Sequence, residues 1–564
     1  MKKRAVILFG IVSLVLIMLV LSACGTGTSP TTSPPGAQTT APPAGVPQVM
    51  TVNLAGEPAT IDPNKASWAP ERTIIAQLFE GLMGFNPDLT LRADTAKEIP
   101  TVANGGISAD GLTYTFKLRP EVTWSDGKKV VAKDYEYSIK RMLSPELAAE
   151  YASFYYDIAG AEAYNSAGDK DEATKAKLRD ALGVKAVNDT TLQIKLAQPR
   201  STFLQIMALW PSYPVLESVI TKSGDKWTEA GTLIGNGPYV LAEWVHQDRI
   251  TLKINNNYWK QKPTLTQINI KMIQDQNASF AAYKNNELDI SGVPAGTEKS
   301  IMADPALSKE IVRYNELVTF AFQFNVTKAP FDNVKLRQAI ATAIDRDAFI
   351  NNVRGGVGKA ALSWVPPGMP GHDPNLGKEY AYNPTKAKQL LNEAGYSDPS
   401  KLPEIKFTFN NAGLNPVMAQ FLQGQMKDNL GINIVLDPME AKAFTQFINS
   451  NQHQWAWFGW GADYPDPDNW LPELFGTKAG NNHTLYSNPA FDTLSKQAKQ
   501  EMDNDKRMKL WAQAQEMVMK DAPIVTMFYR ERFFLVKPRI QGLTTTGMDG
   551  QIPGDMFWTR ISVK

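Results

Sequence analysis

The sequence predicts an α/β or α+β protein with several sheets and more than one domain. Its 564 residues exceed what one compact core usually supports, so two or three domains are expected. From Val49 onward, strand-like and helix-like segments are mixed, without heptads, short repeats or a further apolar run of membrane-spanning length. The composition, with 43% hydrophobic and 20% charged residues, is typical of a globular protein.

The N-terminus has the organisation of a secretory signal peptide. A basic start, MKKR, is followed by the apolar run AVILFGIVSLVLIMLV and the small-residue zone LSAC. A transmembrane anchor is the alternative, since the apolar run approaches spanning length. LSAC (21–24) resembles the bacterial lipobox, and Cys24 is the only cysteine of the chain. We therefore expect residues 1–23 to be a lipoprotein signal and Cys24 to be lipidated, outside the cytoplasm.

Residues 24–48 have the composition of a tether. After Cys24 the sequence reads GTGTSPTTSPPGAQTTAPPAGVPQ, which has no charged residue and almost no large apolar one. Such a segment cannot bury enough apolar surface to fold. We expect it to hold a folded body, starting near Val49, away from the membrane surface.

Two stretches show the alternation of a half-buried strand. In LTYTFKLRP (112–120), Tyr114, Phe116 and Leu118 alternate with polar residues. The stretch TTLQIKLAQP (190–199) repeats the pattern. Both are predicted strands.

Helices are equally clear. In YNPTKAKQLLNEAGY (382–396), Asn383 suits the N-cap, Pro384 the first turn, and Gly395 the left-handed position after the last turn. The stretch KLRQAIATAIDRDAFI (335–350) carries apolar residues at helical spacing and is predicted to be helical.

Signatures of common enzymes and metal sites are missing. The chain has no GxSxG, HExxH or GxxxxGK[ST] motif, and RGGVGKA (354–360) lacks two positions of the last one. Four histidines and no cysteine in the body make a zinc or copper site difficult to assemble. Lys and Arg total 58 against 57 Asp and Glu, so nothing favours a nucleic-acid partner. We expect no cofactor and no enzyme activity.

One segment, HQWAWFGWGADYPDPDNW (453–470), combines four tryptophans with three aspartates. The aromatic residues suit a strand in the core, Trp455 above all. Asp466 and Asp468 suit capping or turning of the chain. A calcium site is an alternative, but the aspartates do not follow EF-hand spacing. A glycoside hydrolase with two carboxylates is the alternative among enzymes.

Six segments, read in order, resemble the solute-binding proteins of oligopeptide ABC transporters. They cover IDPNKASWAPERTIIAQLFEGL (61–82), YTFKLRPEVTWSDGKKVVAKDYEYSIKR (114–141), GDKWTEAGTLIGNGPYVLAEW (224–244), NVTKAPFDNVKLRQAIATAIDRD (325–347), YNPTKAKQLLNEAGY (382–396) and GWGADYPDPDNW (459–470). The family also includes dipeptide, nickel and oligosaccharide receptors. A nickel-chelate or oligosaccharide receptor on the same fold is therefore a further alternative.

The resemblance implies a two-lobed periplasmic-binding-protein-like fold with an inserted domain, whose lobes close about a hinge. It implies a first lobe of 49–89, 214–315 and 531–564, an inserted domain of 90–213, and a second lobe of 316–530. It also implies a monomer that carries oligopeptides to ABC transporter permease subunits.

The resemblance also implies a binding site. Asp463 matches the family aspartate that pairs with the peptide ammonium group, and a charge-assisted bond suits that role. The remaining expected ligand-binding residues are Gly459, Trp460 and Gly461 on one lobe, and Ser67, Trp68 and Ala69 on the other. The glycines are expected to allow close approach of the ligand backbone, in a recognition mode like strand addition.

Three positions depart from the pattern of relatives that bind a peptide carboxylate. Trp457 stands in place of an arginine, Asn415 in place of a histidine, and Ala412 in place of the arginine of dipeptide binders. The carboxylate end of a ligand therefore has no partner that the sequence identifies, and a strict preference for dipeptides is not expected.

Overall fold

The computed structural model describes residues 45–564. The predicted signal peptide, Cys24 and most of the predicted tether therefore lie outside the described residues. The first strand begins at Val49, where the sequence predicts the folded body to start. No helix within residues 45–564 is long and apolar enough to cross a bilayer.

Between residues 45 and 564 the chain forms eighteen strands and sixteen α-helices. Residues 45–93 form β1 (Val49–Asn53), α1 (Ala69–Leu78), β2 (Met83–Phe85) and β3 (Leu91–Ala93). Residues 94–213 form β4 (Thr113–Lys117), α2 (Ala132–Met142), α3 (Ala161–Asn165), α4 (Glu172–Asp180), β5 (Val184–Asn188), β6 (Thr191–Lys195) and α5 (Phe203–Ile206). Residues 214–310 form α6 (Glu217–Ser223), β7 (Tyr239–Val245), β8 (Arg249–Ile254), β9 (Gln267–Lys271), α7 (Gln276–Lys284), β10 (Ile290–Gly292) and α8 (Glu298–Ala303).

The remaining elements follow in the second half of the chain. Residues 311–449 form β11 (Ile311–Phe324), α9 (Val334–Ala343), α10 (Arg346–Asn352), β12 (Lys359–Ala360), α11 (Pro384–Glu393), β13 (Ile405–Asn410), α12 (Asn415–Leu430), β14 (Ile434–Met439) and α13 (Ala441–Asn449). Residues 450–564 form β15 (Trp455–Gly461), α14 (Pro472–Phe475), α15 (Pro489–Gln500), α16 (Asn504–Asp521), β16 (Ile524–Val536), β17 (Ile540–Gln541) and β18 (Ser562–Val563).

Eleven strands form one mixed sheet. Their order is β14-β13-β15-β11-β16-β10-β1-β9-β8-β7, and β12 pairs with β16. β1 runs parallel to β9 and β10, and β13 runs parallel to β14 and β15. The pairs β11–β15, β11–β16 and β10–β16 are antiparallel. With helices interspersed between these strands, the α/β class predicted from the sequence is confirmed.

The two longest strands join the two halves of this sheet. β11 has 14 residues and β16 has 13, and they pair antiparallel. β15 pairs with β11 at Val318–Phe324, whereas β10 pairs with the far end of β16 at Phe534–Val536. The register of β11 against β16 breaks between Asn315 and Thr319. Such an irregularity bends a ladder and redirects side chains, so residues 316–318 mark the junction between the halves.

The strands predicted at 112–120 and 190–199 are confirmed. They are β4 and β6, and they pair antiparallel in a separate three-stranded sheet, β4-β6-β5. The apolar residues Tyr114, Phe116 and Leu192 are buried, as the alternation requires. This sheet lies wholly within 90–213, the segment expected to form the inserted domain.

The helix predicted at 382–396 is confirmed with its ends. It is α11, Asn383 accepts from the Lys386 N–H at 3.0 Å, and Gly395 has φ +90°. The prediction of continuous helix over 335–350 is wrong in one respect, because the chain forms two helices, α9 and α10. Between them Ile344 is extended and Asp345 caps the second helix by accepting from the Ala348 N–H at 2.8 Å.

The expected lobe boundaries fall at the junction of the long strands. The boundary at 315/316 lies inside β11, at the register break, and the boundary at 530/531 lies inside β16. The division of the chain into 49–89, 214–315 and 531–564, with 90–213 inserted and 316–530 as the second lobe, stays a prediction.

Candidate functional site

The aromatic part of the 453–470 segment is mostly core. Trp455 is fully buried, with its ring 5.4 Å from that of Phe324 and 5.3 Å from that of Phe407. Trp457 stacks on Phe320 at 5.1 Å, with the ring planes 9° apart. The prediction that Trp455 is a core residue is confirmed. Aromatic packing holds both faces of the strand, because Phe458, on the other face, stacks on Trp364 at 5.6 Å.

The C-terminal half of β15 has an open edge. β11 pairs with β15 along its whole length, but β13 pairs only with Trp455 and Ala456. From Trp457 to Gly461, one edge of the strand therefore has no partner strand within the described part of the chain. An edge of this kind offers backbone N–H and C=O groups to an added strand.

The neighbouring strand leaves little room for side chains at the two glycines of this edge. A Cβ at Gly459 would lie 2.6 Å from the ring of Phe320. A Cβ at Gly461 would lie 3.2 Å from a methyl group of Val318. Close packing against β11 therefore accounts for Gly459, and at Gly461 a small shift of Val318 would be needed. The expected close approach of a ligand to these glycines stays a prediction.

Asp463 follows directly at the end of this strand and is half-buried. Tyr151 Oη donates to its Oδ1 at 2.6 Å, and Asn469 Nδ2 donates to its Oδ2 at 3.0 Å. The Asp463 N–H in turn donates to Asn469 Oδ1 at 2.8 Å. The indole N–H of Trp460 donates to the Asn469 carbonyl at 2.8 Å. These bonds fix the orientation of the carboxylate, and Trp460 supports it indirectly.

The Asp463 carboxylate has no counter-ion among residues 45–564. Burial raises its pKa, while the bonds from Tyr151 and Asn469 and the more distant charge of Arg72 oppose that effect. No basic nitrogen of the described residues lies within 4.0 Å of its oxygens, the distance that defines an ion pair. A partly desolvated carboxylate in this state gains free energy when a cation with hydrogen-bond donors binds to it.

The opposite wall is the N-terminus of α1, where Ser67, Trp68 and Ala69 lie. The N–H groups of Ser67 and Trp68 donate to the buried side chain of Glu71, at 2.7 and 2.9 Å. These two donors are therefore already used, and the expectation that Ser67, Trp68 and Ala69 bond a peptide backbone stays a prediction that would have to use other groups of these residues. Trp68 is 69% exposed and lines another cavity, of about 920 Å³, which shares Ser67 with the cavity at Asp463.

A cavity of about 300 Å³ lies between the two walls. It brings together four of the expected residues: Ser67, Ala69, Gly461 and Asp463. Trp68, Gly459 and Trp460 do not line it. Residues that the sequence did not single out complete it, among them Arg72, Tyr151, Trp210, Glu316, Arg530, Arg532 and Asp549. The cavity sits beside residues 316–318, at the junction of the two halves of the sheet.

Known proteins share this architecture. The family model described as "Bacterial extracellular solute-binding proteins, family 5 Middle" matches residues 95–482. The oligopeptide-binding protein OppA of Bacillus subtilis is 34% identical over 559 residues, which cover 97% of this chain and 98% of that protein. The chain is a family 5 solute-binding protein.

Solved structures agree with this assignment. The murein tripeptide binding protein MppA of Escherichia coli matches with a TM-score of 0.73 at 28% identity, covering 91% of this chain and 98% of that one. OppA of Haemophilus influenzae in complex with RPPGFSPFR matches with a TM-score of 0.72 at 26% identity, covering 92% and 99%. The two-lobed fold expected from the sequence is therefore confirmed for this solute-binding protein.

A second cavity of about 300 Å³ extends the site of this solute-binding protein. It shares Arg530, Arg532 and Gln551 with the cavity at Asp463, and it is also lined by Arg354. Glu316 forms ion pairs with Arg530 and Arg532, the latter at 2.6 Å. The two cavities are therefore parts of one cleft, with an acidic end at Asp463 and basic groups further along.

Arg354 is a basic group of this cleft without an acidic partner among the described residues. Its guanidinium carbon lies 4.1 Å from the centroid of the Phe528 ring, and its Nε donates to the Val357 carbonyl at 2.9 Å. Burial, and then the charge of Arg530, lower the pKa of Arg354 to about 10, and the charges of Glu298 and Glu531, which line the same cavity, oppose this. No carboxylate of residues 45–564 forms an ion pair with it. A ligand anion would relieve the repulsion between the two guanidinium groups.

The aspartates that follow Asp463 are buried and paired. Asp466 accepts from the Asp468 N–H at 3.0 Å, so its predicted capping role is confirmed, and it also pairs with Arg507 at 2.6 Å. Asp468 pairs with Arg200 at 2.6 Å. Both carboxylates are thus neutralised by arginines. Among residues 45–564 no group of three acidic, histidine or cysteine side chains could hold a metal ion, so the calcium alternative has no ligand set there.

The positions that depart from the relatives' pattern do not replace the missing cation. Trp457 packs on Phe320, and Asn415 donates to Asn410 Oδ1 at 2.6 Å. Neither of them lines the two cavities of the cleft, and neither does Ala412. Tyr151 and Arg354 were missed because each joins a site built from distant parts of the chain; Tyr151 and Asp463 are 312 positions apart.

Proposed function

We propose that this protein is a monomeric, non-catalytic receptor that captures oligopeptides outside the cytoplasm and delivers them to the permease subunits of an ABC importer. Asp463 binds the ligand's α-ammonium group. The ligand backbone lies along the open edge of β15, and the cleft also has a separate arm toward Arg354, on the β16 side of β11. The observation that carries the proposal is the half-buried Asp463 carboxylate, without a counter-ion in residues 45–564, at the end of an unpaired strand edge.

Physical chemistry favours a peptide over the other ligand classes for this cleft. An ammonium group supplies both the positive charge and the donors that Asp463 lacks. An unpaired strand edge binds main-chain groups and tolerates different side chains. The relatives' names agree with this assignment, since they include an oligopeptide-binding protein and a dipeptide-binding protein of Bacillus subtilis.

The alternatives fit the site less well. A nickel chelate or an oligosaccharide carries no ammonium group, so Asp463 would lack the partner proposed for it. The glycoside hydrolase suggested by the sequence would use the carboxylates at 463–468, but Asp466 and Asp468 are each bound to an arginine. Calorimetry of the purified chain with a peptide mixture, sugars and metal chelates separates these cases. Binding of free peptides without turnover supports the proposal, and hydrolysis of a glycoside contradicts it.

Arg354→Gln tests the proposed far end of the cleft. We expect the variant to bind peptides with a free C-terminal carboxylate about tenfold more weakly, because a charge-assisted bond becomes a neutral one. Calorimetry on one peptide in free-acid and amide forms measures the effect. The amide form should bind the variant and the wild type equally well.

Peptide length gives the internal control for Arg354. Only ligands long enough to reach from Asp463 to Arg354 should respond to the substitution. Lys359→Gln, at the exposed position in β12 that follows the same glycine-rich segment, serves as the matched control and should leave all affinities unchanged. An equal loss for acid and amide forms would show that Arg354 only supports the fold.

Cys24→Ser tests the proposed lipid anchor. We expect the variant to appear in the soluble fraction of fractionated cells, whereas the wild type stays with membranes. Peptide affinity should not change, because the first strand of the folded body begins at Val49, after the proposed tether. A variant that remains membrane-bound, or one that loses affinity, would contradict the separation of anchor, tether and receptor.

A further inference from the structure

A small set of contacts joins residues 90–213 to the segment that carries Asp463. At one side of the cleft Tyr151 donates to Asp463. At the other, residues 200–202 meet the turn after β15 and the end of α15. The Ser201 N–H and hydroxyl both donate to the Lys499 carbonyl, at 3.0 and 3.1 Å. These contacts close the cleft beside the carboxylate that receives the ligand.

A buried ion pair stands at the centre of these contacts. Arg200 Nη2 lies 2.6 Å from Asp468 Oδ2, and the two side chains are 9% and 1% exposed. Thr202 and Tyr464 donate hydroxyl bonds to the same oxygen, at 2.8 and 2.9 Å. Arg200 is held from behind by Asp157, at 2.9 Å. The pair thus connects parts of the chain 268 residues apart.

Asp468 stays ionised in its buried position because the charge of Arg200 lies next to it. Burial alone would raise the pKa of Asp468, but the charges of Arg200 and then Lys499 outweigh it and hold the pKa below its usual value. Asp468 Oδ1 has no hydrogen-bond partner among the described residues. Without Arg200, Asp468 would keep the two hydroxyl bonds and Lys499, whose Nζ lies 3.8 Å from Oδ1, but it would lose its close counter-ion. A buried carboxylate in that state is less favourable in the joined arrangement than after the segments separate into water.

We infer that the Arg200–Asp468 pair is a latch that positions Asp463 and slows the release of every ligand. It holds residues 90–213 against the turn that presents Asp463, so that the ligand cannot leave before the pair separates. This inference rests on the proposed function. A latch of this kind limits the dissociation rate by the same amount whatever side chains the ligand carries, because the pair does not contact them. Arg200 and Asp468 are therefore positioning residues and do not contact the ligand.

Arg200→Met tests the latch in the full chain, purified in detergent. Association and dissociation are measured by biolayer interferometry with two unrelated probes, trialanine and the nonapeptide RPPGFSPFR. We expect the dissociation rate constant to rise at least about tenfold for both probes, while the association rate constant changes by less than about threefold. Arg200→Lys, which keeps the charge, should recover most of the difference.

The matched control is the other buried ion pair on the same turn. Arg507 and Asp466 are 2.6 Å apart and are 8% and 1% exposed, but both belong to residues 316–530. Arg507→Met should lower the melting temperature as Arg200→Met does, yet leave the dissociation rate constants within about twofold. A comparable rise in both variants would overturn the latch, because the pair would then only support the turn.

If Arg200→Met does not fold, Asp468→Asn replaces it, with the same expected rise in the dissociation rate constant. Two further outcomes then decide between the latch and the proposed function. If the wild type binds the probes and neither variant dissociates faster, the latch is wrong while the proposed function stands. If the wild type binds no peptide, the proposed function itself is wrong, and the latch falls with it.

Discussion

Trp455→Ala is expected to destabilise the protein by about 3–5 kcal/mol, the usual cost of removing a large aromatic side chain from a packed core. Trp455 is fully buried and contacts the rings of Phe322, Phe324 and Phe407. Its indole N–H has no hydrogen-bond partner within residues 45–564. The loss should therefore come from packing. Denaturant unfolding followed by circular dichroism measures the change in the free energy of unfolding.

Two variants make this prediction specific. Trp455→Phe keeps much of the ring and removes the unpaired N–H, so it should cost less than about 2 kcal/mol. Trp68→Ala removes the same side chain at a position that is 69% exposed, and it should change stability by less than about 0.5 kcal/mol. If Trp455→Ala and Trp68→Ala lowered the free energy of unfolding by equally small amounts, Trp455 would not be a core residue.

The features that the sequence predicted correctly are those that depend on neighbouring residues. The ends of α11 follow from Asn383 and Gly395, which act within one turn of the helix. The strands β4 and β6 follow from alternation over a few residues. The break between α9 and α10 was missed because the apolar spacing continues across it. Asp345, which caps the second helix, was a local signal of the break that the spacing of apolar residues does not show.

The site could be predicted only in part, because its two walls come from distant parts of the chain. Resemblance supplied Asp463 and Ser67, and both line the cavity. Nothing local shows that Tyr151 bonds Asp463, or that Arg354 shares a cleft with it. The use of the Ser67 and Trp68 N–H groups by Glu71 also depends on three-dimensional geometry. The ion pairs of Asp466 and Asp468 with arginines could not be predicted either, because those arginines lie far away along the sequence.

Asp463→Asn is expected to weaken binding of a free-amine peptide by about 1–3 kcal/mol, or about 5- to 150-fold, because a charge-assisted bond becomes a neutral one. An asparagine oxygen can still accept from Tyr151, but the amide nitrogen that replaces Oδ2 faces the Asn469 amide nitrogen, so the variant also loses that bond. Calorimetry with one peptide and its N-acetylated form measures the effect. Acetylation should weaken the wild type similarly and have little further effect on the variant, since both changes remove the same interaction.

The pH dependence of affinity distinguishes Asp463 from the other acids of the cleft. The ammonium ligand binds the ionised carboxylate, so affinity is complete above the pKa of Asp463 and falls as the pH drops through it. Because burial raises that pKa, the fall in affinity should begin at a higher pH than for an exposed aspartate.

A second acid of the cleft, Asp549, also titrates, because burial, and then the charge of Asp555, raise its pKa to about 7, and this group is present in both the wild type and Asp463→Asn. The difference between wild type and Asp463→Asn therefore reports Asp463 alone. Parallel pH profiles for the two proteins, or equal binding of acetylated and free peptides, would remove the ammonium role from Asp463 and leave the open edge of β15 as the remaining determinant of peptide binding.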